Sequence, residues 1–372
     1  MKIKSASSSL LAVAFTLGLS APEARAGGPL ANCSSGQPFK WAAGGASIPF
    51  NPDLGGLGTL GNAEAVTLVS DAFGAWTDVA SSTATYVQGA PLPVDVTLAN
   101  YLPYLEPVAP DGLSAIVFDE NGAIFDELFG AGSGILGFAG PEWLDPSTCT
   151  ILEGVSFLNG PSFTVAVEAF DVMVHEFGHY SNLAHSAVNG QVVLLDDATA
   201  PGATGAGEPF AGPVLVNQIE TMYPFYSGAG QETATPHRDD IAALSTLYPE
   251  PAFLTDNASI AGTIFAANGV TRLSGVNVIA RNVANAFDDA VSAMSGDRTD
   301  DASQADALAG TYLFKGLTPG ADYAVFVDQI LAGGFSTPPI GLPGEEEFHN
   351  TGESNDVTTP DDAATFDAVS AA

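Results

Sequence analysis

The amino-acid sequence predicts an α+β protein in which a twisted mixed sheet with three helices precedes a small all-β sandwich. Up to about residue 250, short strand-like runs bounded by Gly, Pro, Asn or Asp alternate irregularly with segments of helical periodicity. Beyond residue 255 only short β runs recur. The length of 372 residues also favours two cores, because single cores seldom grow past roughly 250 to 300 residues. We therefore predict domains at residues 27–250 and 255–372.

Three segments show the spacing of apolar residues that is typical of amphipathic helices. They cover residues 62–80, 166–181 and 235–249. Asn62 is expected to cap the first of them, because Asn is a favoured N-cap residue. The positions expected to face a core are Val66, Val69, Phe73, Trp76, Val167, Phe170, Val174, Ile241, Leu244 and Leu247.

Strands are predicted between these helices and again after the third helix. In the first part they cover residues 46–50, 93–99, 113–119, 133–141 and 154–160. In the second part they cover residues 259–266, 275–283, 310–317 and 322–330. The close spacing of the second group predicts a β-sandwich.

The charge of the chain excludes several classes of partner. There are 43 acidic residues against nine basic ones, a formal net charge of −34. Nucleic acid is therefore not an expected partner, since phosphate binding relies on clustered Lys and Arg, and anionic membranes would repel the same surface. The excess of acidic residues is typical of a solvated surface coat. We expect a monomer.

The first 26 residues have the features of a cleaved export signal. Lys2 and Lys4 precede the apolar run LLAVAFTLGLSA, and Ala24 and Ala26 occupy the small-residue cleavage positions. The apolar run is too short to span a bilayer. The mature protein is therefore expected to be secreted, without membrane insertion.

Cys33 and Cys149 are the two cysteines of the chain. An even count in an exported protein favours one disulfide between them. In the alternative, Cys33 is a thiolate that blocks a metal ion in a latent form.

Three of the five histidines fall within residues 175–185. His175 and His179 are four residues apart, so on a helix they share one face and can aim two imidazoles at a common point. Glu176 lies beside them without being a ligand. His185 can converge on the same point if the helix stops and the chain turns back, and Asn182 tolerates the positive φ that such a turn needs. This pattern predicts one catalytic zinc ion with three histidine ligands.

The motif HEFGHYSNLAHS, residues 175–186, resembles the HExxHxxGxxH signature of the metzincin zinc proteases, and its final serine resembles the matrixin branch. The stretch TMYPFY, residues 221–226, is similar to the matrixin Met-turn, and RDDIAALSTLYP, residues 238–249, is similar to the C-terminal helix of that family. The resemblance covers roughly residues 38–249. It implies a metzincin-like catalytic domain and a secreted zinc endopeptidase.

The resemblance also implies roles for single residues. Glu176 would be the general base that takes a proton from a zinc-activated water, and Met222 would lie beneath the zinc site. Pro224 and Tyr226 would line the pocket for the substrate side chain. Residues 133–141 resemble the edge strand beside the cleft, which pairs with protein or peptide substrates by β-augmentation. As a plain strand, this segment would only close the sheet.

Two departures from the family pattern are visible. Asn182 stands where the family usually has glycine, and the interval from His185 to Met222 is longer than in typical matrixins. The second part of the chain resembles the carboxypeptidase regulatory-like, transthyretin-like sandwiches through the runs SIAGTIFA, SGVNVIARN and GTYLFKGLTPGADYAVFV. We expect this part either to contact the substrate or another surface, or only to stabilise the protein.

Other functional hypotheses remain open at this point. One is a secreted adhesion or binding protein with a relic zinc site, although the retained Glu176 argues for an enzyme. Another is a zinc exopeptidase. Asp119, Asn121 and Asp126 have oxygens that could hold Ca²⁺, but their spacing does not follow the EF-hand order, and an ordinary acidic turn is the other interpretation.

Overall fold

The structure, a computed structural model, describes residues 27–34, 36–194, 215–228, 233–296, 304–328, 330, 347–350 and 366–372. The predicted export signal and most of the Gly- and Ala-rich loop between the second and third predicted helices lie outside the described residues. The described part is a mixed α+β structure with a largely parallel sheet, several helices and antiparallel sheets, as predicted. No helix within the described residues is long and apolar enough to cross a membrane.

The first sheet has six strands and is parallel except for one of them. The strands are β1 (Lys40–Trp41), β2 (Ile48–Pro52), β3 (Tyr86–Gln88), β4 (Ala115–Asp119), β5 (Gly137–Asp145) and β6 (Thr150–Asn159). Strand β6 pairs with β1 at its start and with β4 at its end, and β2 and β3 continue the sheet beyond β4. Strand β5 runs antiparallel to β6, its one partner among the described strands, so it forms an edge of the sheet.

The helices of the first part include the three predicted ones. They are α1 (Asn62–Thr77), α2 (Leu102–Leu105), α3 (Ala123–Phe129), α4 (Ala166–Tyr180), α5 (Gly190–Leu194), α6 (Arg238–Leu247) and α7 (Pro251–Asp256). Short 3-10 turns lie at Ala42–Gly45, Gly160–Ser162 and Val216–Gln218. The prediction for the second helix is accurate to one residue at its end, because its apolar and histidine spacing is continuous.

A stack of aromatic rings joins helices α1 and α4 to the sheet. The rings of Phe73 on α1 and Phe177 on α4 lie face to face with centroids 3.8 Å apart, and Phe50 of β2 lies 4.5 Å from Phe73. Trp76 is fully buried and donates a hydrogen bond from its indole N–H to the carbonyl of Val174, at 2.8 Å. Such pairs add to the hydrophobic burial of the rings. They hold α4 against the sheet.

Several predictions of detail are wrong. Residues 93–99 form no strand, since this run pairs with no neighbouring strand and Val96 donates its backbone N–H to the carboxylate of Asp53 instead. Asn62 is the first helical residue rather than the N-cap, and its amide donates to the carbonyls of Asp53 and Gly55. Val167 lies near the start of α4 with its side chain 41% exposed, beyond the reach of the core.

The second part of the chain contains two antiparallel sheets. Strands β7 (Ala258–Thr263) and β10 (Thr311–Leu317) form one. The strands of the other are β8 (Asn277–Asn282), β9 (Ala290–Met294), β11 (Asp322–Asp328), β12 (Glu347–Phe348) and β13 (Val369–Ser370). Their order is β12-β11-β8-β9, with β13 beside β11. Side chains of both sheets share one core, including Ile260, Phe314, Val278 and Val325. The packing is therefore that of a small sandwich, and β9 is a strand that the sequence reading missed.

Cys33 and Cys149 form the predicted disulfide, with a sequence separation of 116 residues. It joins the N-terminal segment to the turn between β5 and β6. In this form Cys33 is not a thiolate, so it offers no sulfur to a metal ion.

We expect removal of this disulfide to destabilise the chain without changing its fold. Cross-linking a long loop restricts the unfolded state, and loss of a native disulfide from a secreted domain costs about 2–5 kcal/mol. The double variant Cys33→Ser/Cys149→Ser should therefore show a lower free energy of unfolding in urea at an unchanged circular dichroism spectrum. Wild-type protein unfolded with and without a reducing agent is the control, and equal stability of all forms would contradict the prediction.

Candidate metal centre

Helix α4 carries two of the three clustered histidines, and its last turns are anchored on both sides. The indole N–H of Trp41 donates to the carbonyl of Tyr180 at 3.0 Å, and the hydroxyl of Tyr180 donates to the carbonyl of Pro49 at 2.7 Å. A Cβ added at Gly154 would meet the ring of Tyr180 at 2.8 Å, so this position of β6 must be glycine for the helix to pack closely. The C-terminal end of α4 is therefore held rigidly above the sheet.

Helix α4 ends where the sequence predicted, at a residue with positive φ. Asn182 has φ 75°, in the left-handed region. The N–H of Leu183 donates to the carbonyl of Gly178 and the N–H of Asn182 donates to that of His179, both at 2.9 Å. These two bonds form a Schellman motif, which satisfies the last carbonyls of the helix and reverses the chain.

The reversal brings the third histidine back to the first two. One ligand atom from each of His175, His179 and His185 lies within 4.8 Å of the others. His179 Nε2 and His185 Nε2 are 3.0 Å apart. His175 is partly exposed to the cleft, whereas the other two are buried. The three imidazoles therefore face one point from two sides of a broken helix.

Backbone carbonyls orient two of the rings. His175 Nδ1 lies 2.7 Å from the carbonyl oxygen of Thr221, and His179 Nδ1 lies 2.8 Å from that of Leu183. Because a carbonyl only accepts, each Nδ1 must carry the proton, and each Nε2 then presents a lone pair to the common point. Burial lowers the pKa of His175 to about 4, and burial together with His175 lowers the pKa of His179 to about 3. Both rings are therefore neutral near pH 7, as metal ligands must be.

This donor set fits a zinc ion. Three imidazoles are the ligands of an open zinc site, and the carbonyls of Thr221 and Leu183 act as the outer-shell partners that fix the rings of His175 and His179. Within the described residues, this is the one cluster of three or more His, Cys, Asp or Glu residues that could hold a metal ion. A metal ion such as zinc could thus bind at these three residues.

Glu176 lies next to the cluster and is almost fully buried, with 6% of its surface exposed. Its Oε2 has no hydrogen-bond partner among the described residues, and burial raises the pKa of its carboxyl group to about 8. A Cβ added at Gly137 would lie 2.9 Å from Oε1 of Glu176. The carboxyl group therefore faces the start of β5, and Gly137 leaves the room that it occupies.

Met222 packs against α4 at Gly178, one residue before His179. Its side chain is 1% exposed, and a Cβ added at Gly178 would be 2.1 Å from the Met222 sulfur. The N–H groups of Thr221 and Met222 donate to the two carboxylate oxygens of Asp240, at 2.8 and 3.0 Å. The turn at Thr221 and Met222 therefore accepts the hydrogen bond of His175 and is itself held by Asp240 of α6.

A cleft of about 650 Å³ opens beside the three histidines. One side is formed by the edge strand β5 and the residues before it, the other by residues 223–226, and both Pro224 and Tyr226 line it. The hydroxyl of Tyr226 donates to the carboxylate of Asp171 at 3.2 Å. Most of the remaining lining is apolar, including Leu128, Phe129, Ile135 and Val172. Such a lining suits an apolar group of a ligand.

The sequence reading missed residues that support the site from a distance. Glu220 is a buried carboxylate whose role could be read from no local pattern, and Gly137 is one glycine among 41 in the chain. A signal existed only for Asp240, through its place in the motif that resembles the matrixin C-terminal helix.

Two of the three predicted calcium residues accept backbone hydrogen bonds. An oxygen of Asp119 accepts hydrogen bonds from the N–H groups of Ile124 and Phe125, both at 2.9 Å, and the side chain of Asn121 accepts one from Ala123 at 3.0 Å. These are the bonds of an acidic turn that leads into a helix.

No protein-family model matches this chain, and a search of curated proteins finds no match.

We expect the chain to bind one zinc ion per molecule through the three histidines. Zinc that binds only the folded state should stabilise it by about 4 kcal/mol when free zinc is 1,000 times the dissociation constant. His185→Ala should abolish this stabilisation, because two imidazoles bind zinc far more weakly than three. Thermal unfolding with zinc and with a chelator measures the effect, and the exposed His349 supplies the control His349→Ala. Equal zinc responses of the two variants would exclude the cluster as the site.

Asn182 is expected to act through both its backbone and its side chain. Its amide makes three hydrogen bonds, two with Ala31 and one with the carbonyl of Phe39. Asn182→Gly keeps the left-handed turn and should lose about 1–3 kcal/mol of stability with zinc affinity nearly intact. Asn182→Ala should cost about 1–2 kcal/mol more and weaken zinc binding, because alanine disfavours this φ. Urea unfolding and zinc titration test both variants, and identical behaviour would show that the turn does not set the site.

Proposed function

We propose that this protein is a secreted zinc endopeptidase of the matrixin type. The observation that carries the proposal is the convergence of three imidazoles beside a buried carboxyl group, at the edge of an apolar cleft next to an edge strand. Each part has a use in peptide hydrolysis.

His175, His179 and His185 would hold the zinc ion through their Nε2 atoms. A zinc ion bound there supplies Lewis-acid chemistry, polarising a substrate carbonyl and lowering the pKa of a water molecule. The two carbonyls that receive the Nδ1 protons keep His175 and His179 in the ligating tautomer.

Glu176 would be the general base and acid of the reaction. Its carboxyl group is buried, faces the cleft and has an oxygen with no hydrogen-bond partner among the described residues. As a carboxylate it takes the proton of the attacking water, and as a carboxylic acid it delivers that proton to the departing amine. Proton transfer in both directions is favoured when the carboxyl group titrates near the working pH.

The substrate would be an extended segment of a protein or peptide. Strand β5 is an edge strand whose first residues line the cleft, so its free backbone groups can pair with such a segment. The side chain that follows the cleaved bond would enter the apolar part of the cleft between α4 and residues 223–226. Pro224 and Tyr226 would shape that pocket.

The proposal includes the organisation and location of the protein. Residues 27–250 would form the catalytic domain and residues 255–372 an accessory sandwich, and export would follow removal of the first 26 residues. The disulfide is compatible with an extracellular protein.

Cleavage of denatured casein by the purified mature chain tests the proposal. We expect activity that a chelator abolishes and zinc restores. Glu176→Gln should lower the cleavage rate by at least about 100-fold, because the proton acceptor is lost while the size of the side chain is kept. Zinc affinity should stay near that of the wild type, since Glu176 is not a ligand. Glu64 is an exposed carboxylate on α1, so Glu64→Gln is the matched control and should leave the cleavage rate unchanged.

Two outcomes would count against the proposal. Cleavage that survives the chelator or the Glu176→Gln change would mean that another site or a contaminant acts. A wild-type chain that binds zinc but cleaves neither casein nor gelatin would favour a binding protein with a relic site.

A further inference from the structure

The segment that follows the third histidine, residues 186–190, is held by charged groups from distant parts of the chain. The carboxylate of Glu220 accepts hydrogen bonds from the N–H groups of Val188 and Asn189, at 2.7 and 2.9 Å, and from that of Gly190 at 3.2 Å. The hydroxyl of Ser186 donates to the carboxylate of Asp239 on α6. These bonds fix the chain directly after His185.

The same carboxylate is linked to the first histidine through the backbone. Glu220 precedes Thr221, whose carbonyl accepts the hydrogen bond from Nδ1 of His175. A shift of Glu220 would therefore move both the carbonyl that orients His175 and the segment that carries His185. The positions of His175 and His185 therefore both depend on Glu220.

One arginine of the sandwich binds the same segment that Glu220 holds. Arg281 lies on β8 and is 1% exposed. Its guanidinium donates to the carbonyl of Val188 at 2.6 Å and to the side-chain oxygen of Asn189 at 2.7 Å. It also lies over the rings of Phe287 and Phe326, with distances of 5.5 and 6.0 Å to their centroids. Planar contacts of this kind require arginine and are not reproduced by lysine.

Buried acids surround this cation. Glu220, Asp239 and Asp328 are 2–4% exposed, and each favours the charged form of Arg281. Burial lowers the pKa of Arg281 to about 10, so the guanidinium remains charged at neutral pH. Without it, these carboxylates would lose the one buried cation among the described residues, at a high electrostatic cost.

Other contacts join the sandwich to the metal-site elements. Asp239, which receives the Ser186 hydroxyl, also accepts hydrogen bonds from the N–H and hydroxyl of Ser292 on β9. Gln191 donates to Asp328 at 2.8 Å, and Asn189 donates to the carbonyl of Phe287 at 2.9 Å. The interface is therefore polar, buried and centred on the residues that follow His185.

We propose that the sandwich supports the metal site. Arg281 is a positioning residue that fixes the segment after His185, so that His185 can bind the metal ion. This inference rests on the zinc site proposed above. It assigns the second part of the chain a role in metal affinity, in place of surface contact or passive stabilisation. Arg281 touches neither metal nor substrate and acts through Val188 and Asn189.

Zinc affinity of the full-length mature protein tests the inference. It is measured by competition with a chromophoric chelator, together with the visible spectrum of the Co²⁺-substituted protein, well below the unfolding temperature. Arg281→Met should weaken zinc binding by roughly 10- to 100-fold, the range found for outer-shell partners, and should change the Co²⁺ spectrum. Arg281→Lys should recover part of the affinity, because it keeps the charge but loses the two-pronged contact.

Arg238 supplies a matched control on the same interface. It forms a salt bridge with Asp289 of the sandwich at 3.2 Å and donates a hydrogen bond to the hydroxyl of Thr318, so these polar partners lie outside residues 186–190. Arg238→Gln should lower stability slightly and leave zinc affinity and the Co²⁺ spectrum unchanged. A merely structural role of Arg281 would give the same pattern as this control.

Each outcome decides the matter. A folded Arg281→Met protein with wild-type zinc affinity and Co²⁺ spectrum would overturn the inference. If that variant does not fold, Asn189→Ala replaces it, because it removes one Arg281 contact from the other side. Several-fold weaker zinc binding would then support the inference, and unchanged binding would overturn it. Zinc affinity is read independently of casein cleavage, so a wild-type chain that binds zinc without cleaving protein refutes only the endopeptidase proposal.

Discussion

The left-handed turn at Asn182 is the constraint on which the histidine cluster depends. With φ 75° at this residue, helix α4 ends in a Schellman motif and the chain reverses within three residues of its last helical position. A continued helix would carry His185 away from the other two imidazoles, since positions 179 and 185 do not share a face. The side chain of Asn182 also ties the N-terminal segment to this turn, a function that glycine would not serve.

Buried carboxylates hold the loops around the cluster. Glu220 and Asp240 accept backbone N–H groups from the two loops that bring His185 and Thr221 into place, and Asp239 joins the first of these loops to the sandwich. In a low-dielectric interior such charge-assisted bonds are strong, and their geometry is strict because an unmatched buried charge is costly. The protein thus carries acidic groups in its interior as well as on its surface, and Arg281 partly offsets the charge of Glu220, Asp239 and Asp328.

Much of the first part of the structure is readable from local patterns. The helix that carries the histidines is predicted within one residue, the positive φ of Asn182 is predicted from the need to return His185, and the Cys33–Cys149 disulfide follows from a count of two. Strands were less predictable, because pairing is decided by distant neighbours. Residues 93–99 alternate like a strand, but Val96 donates its N–H to the carboxylate of Asp53 instead of to a neighbouring strand. Strand β9 was missed although all its residues are buried.

The sequence by itself determined the chemistry of the cluster, namely which imidazoles can meet and which glutamate lies beside them. Helical periodicity and one residue tolerant of positive φ are local properties, so they can be recognised in the sequence. Only the tertiary structure decided the tautomer of His175 and His179, the unpartnered oxygen of Glu176 and the reach of Arg281 into the site. Apart from the contact between His179 and Leu183, which are four positions apart, those features depend on contacts between distant residues, such as the 46 positions from His175 to Thr221 and the 93 from Val188 to Arg281. Contacts over such distances leave no local signal in a sequence.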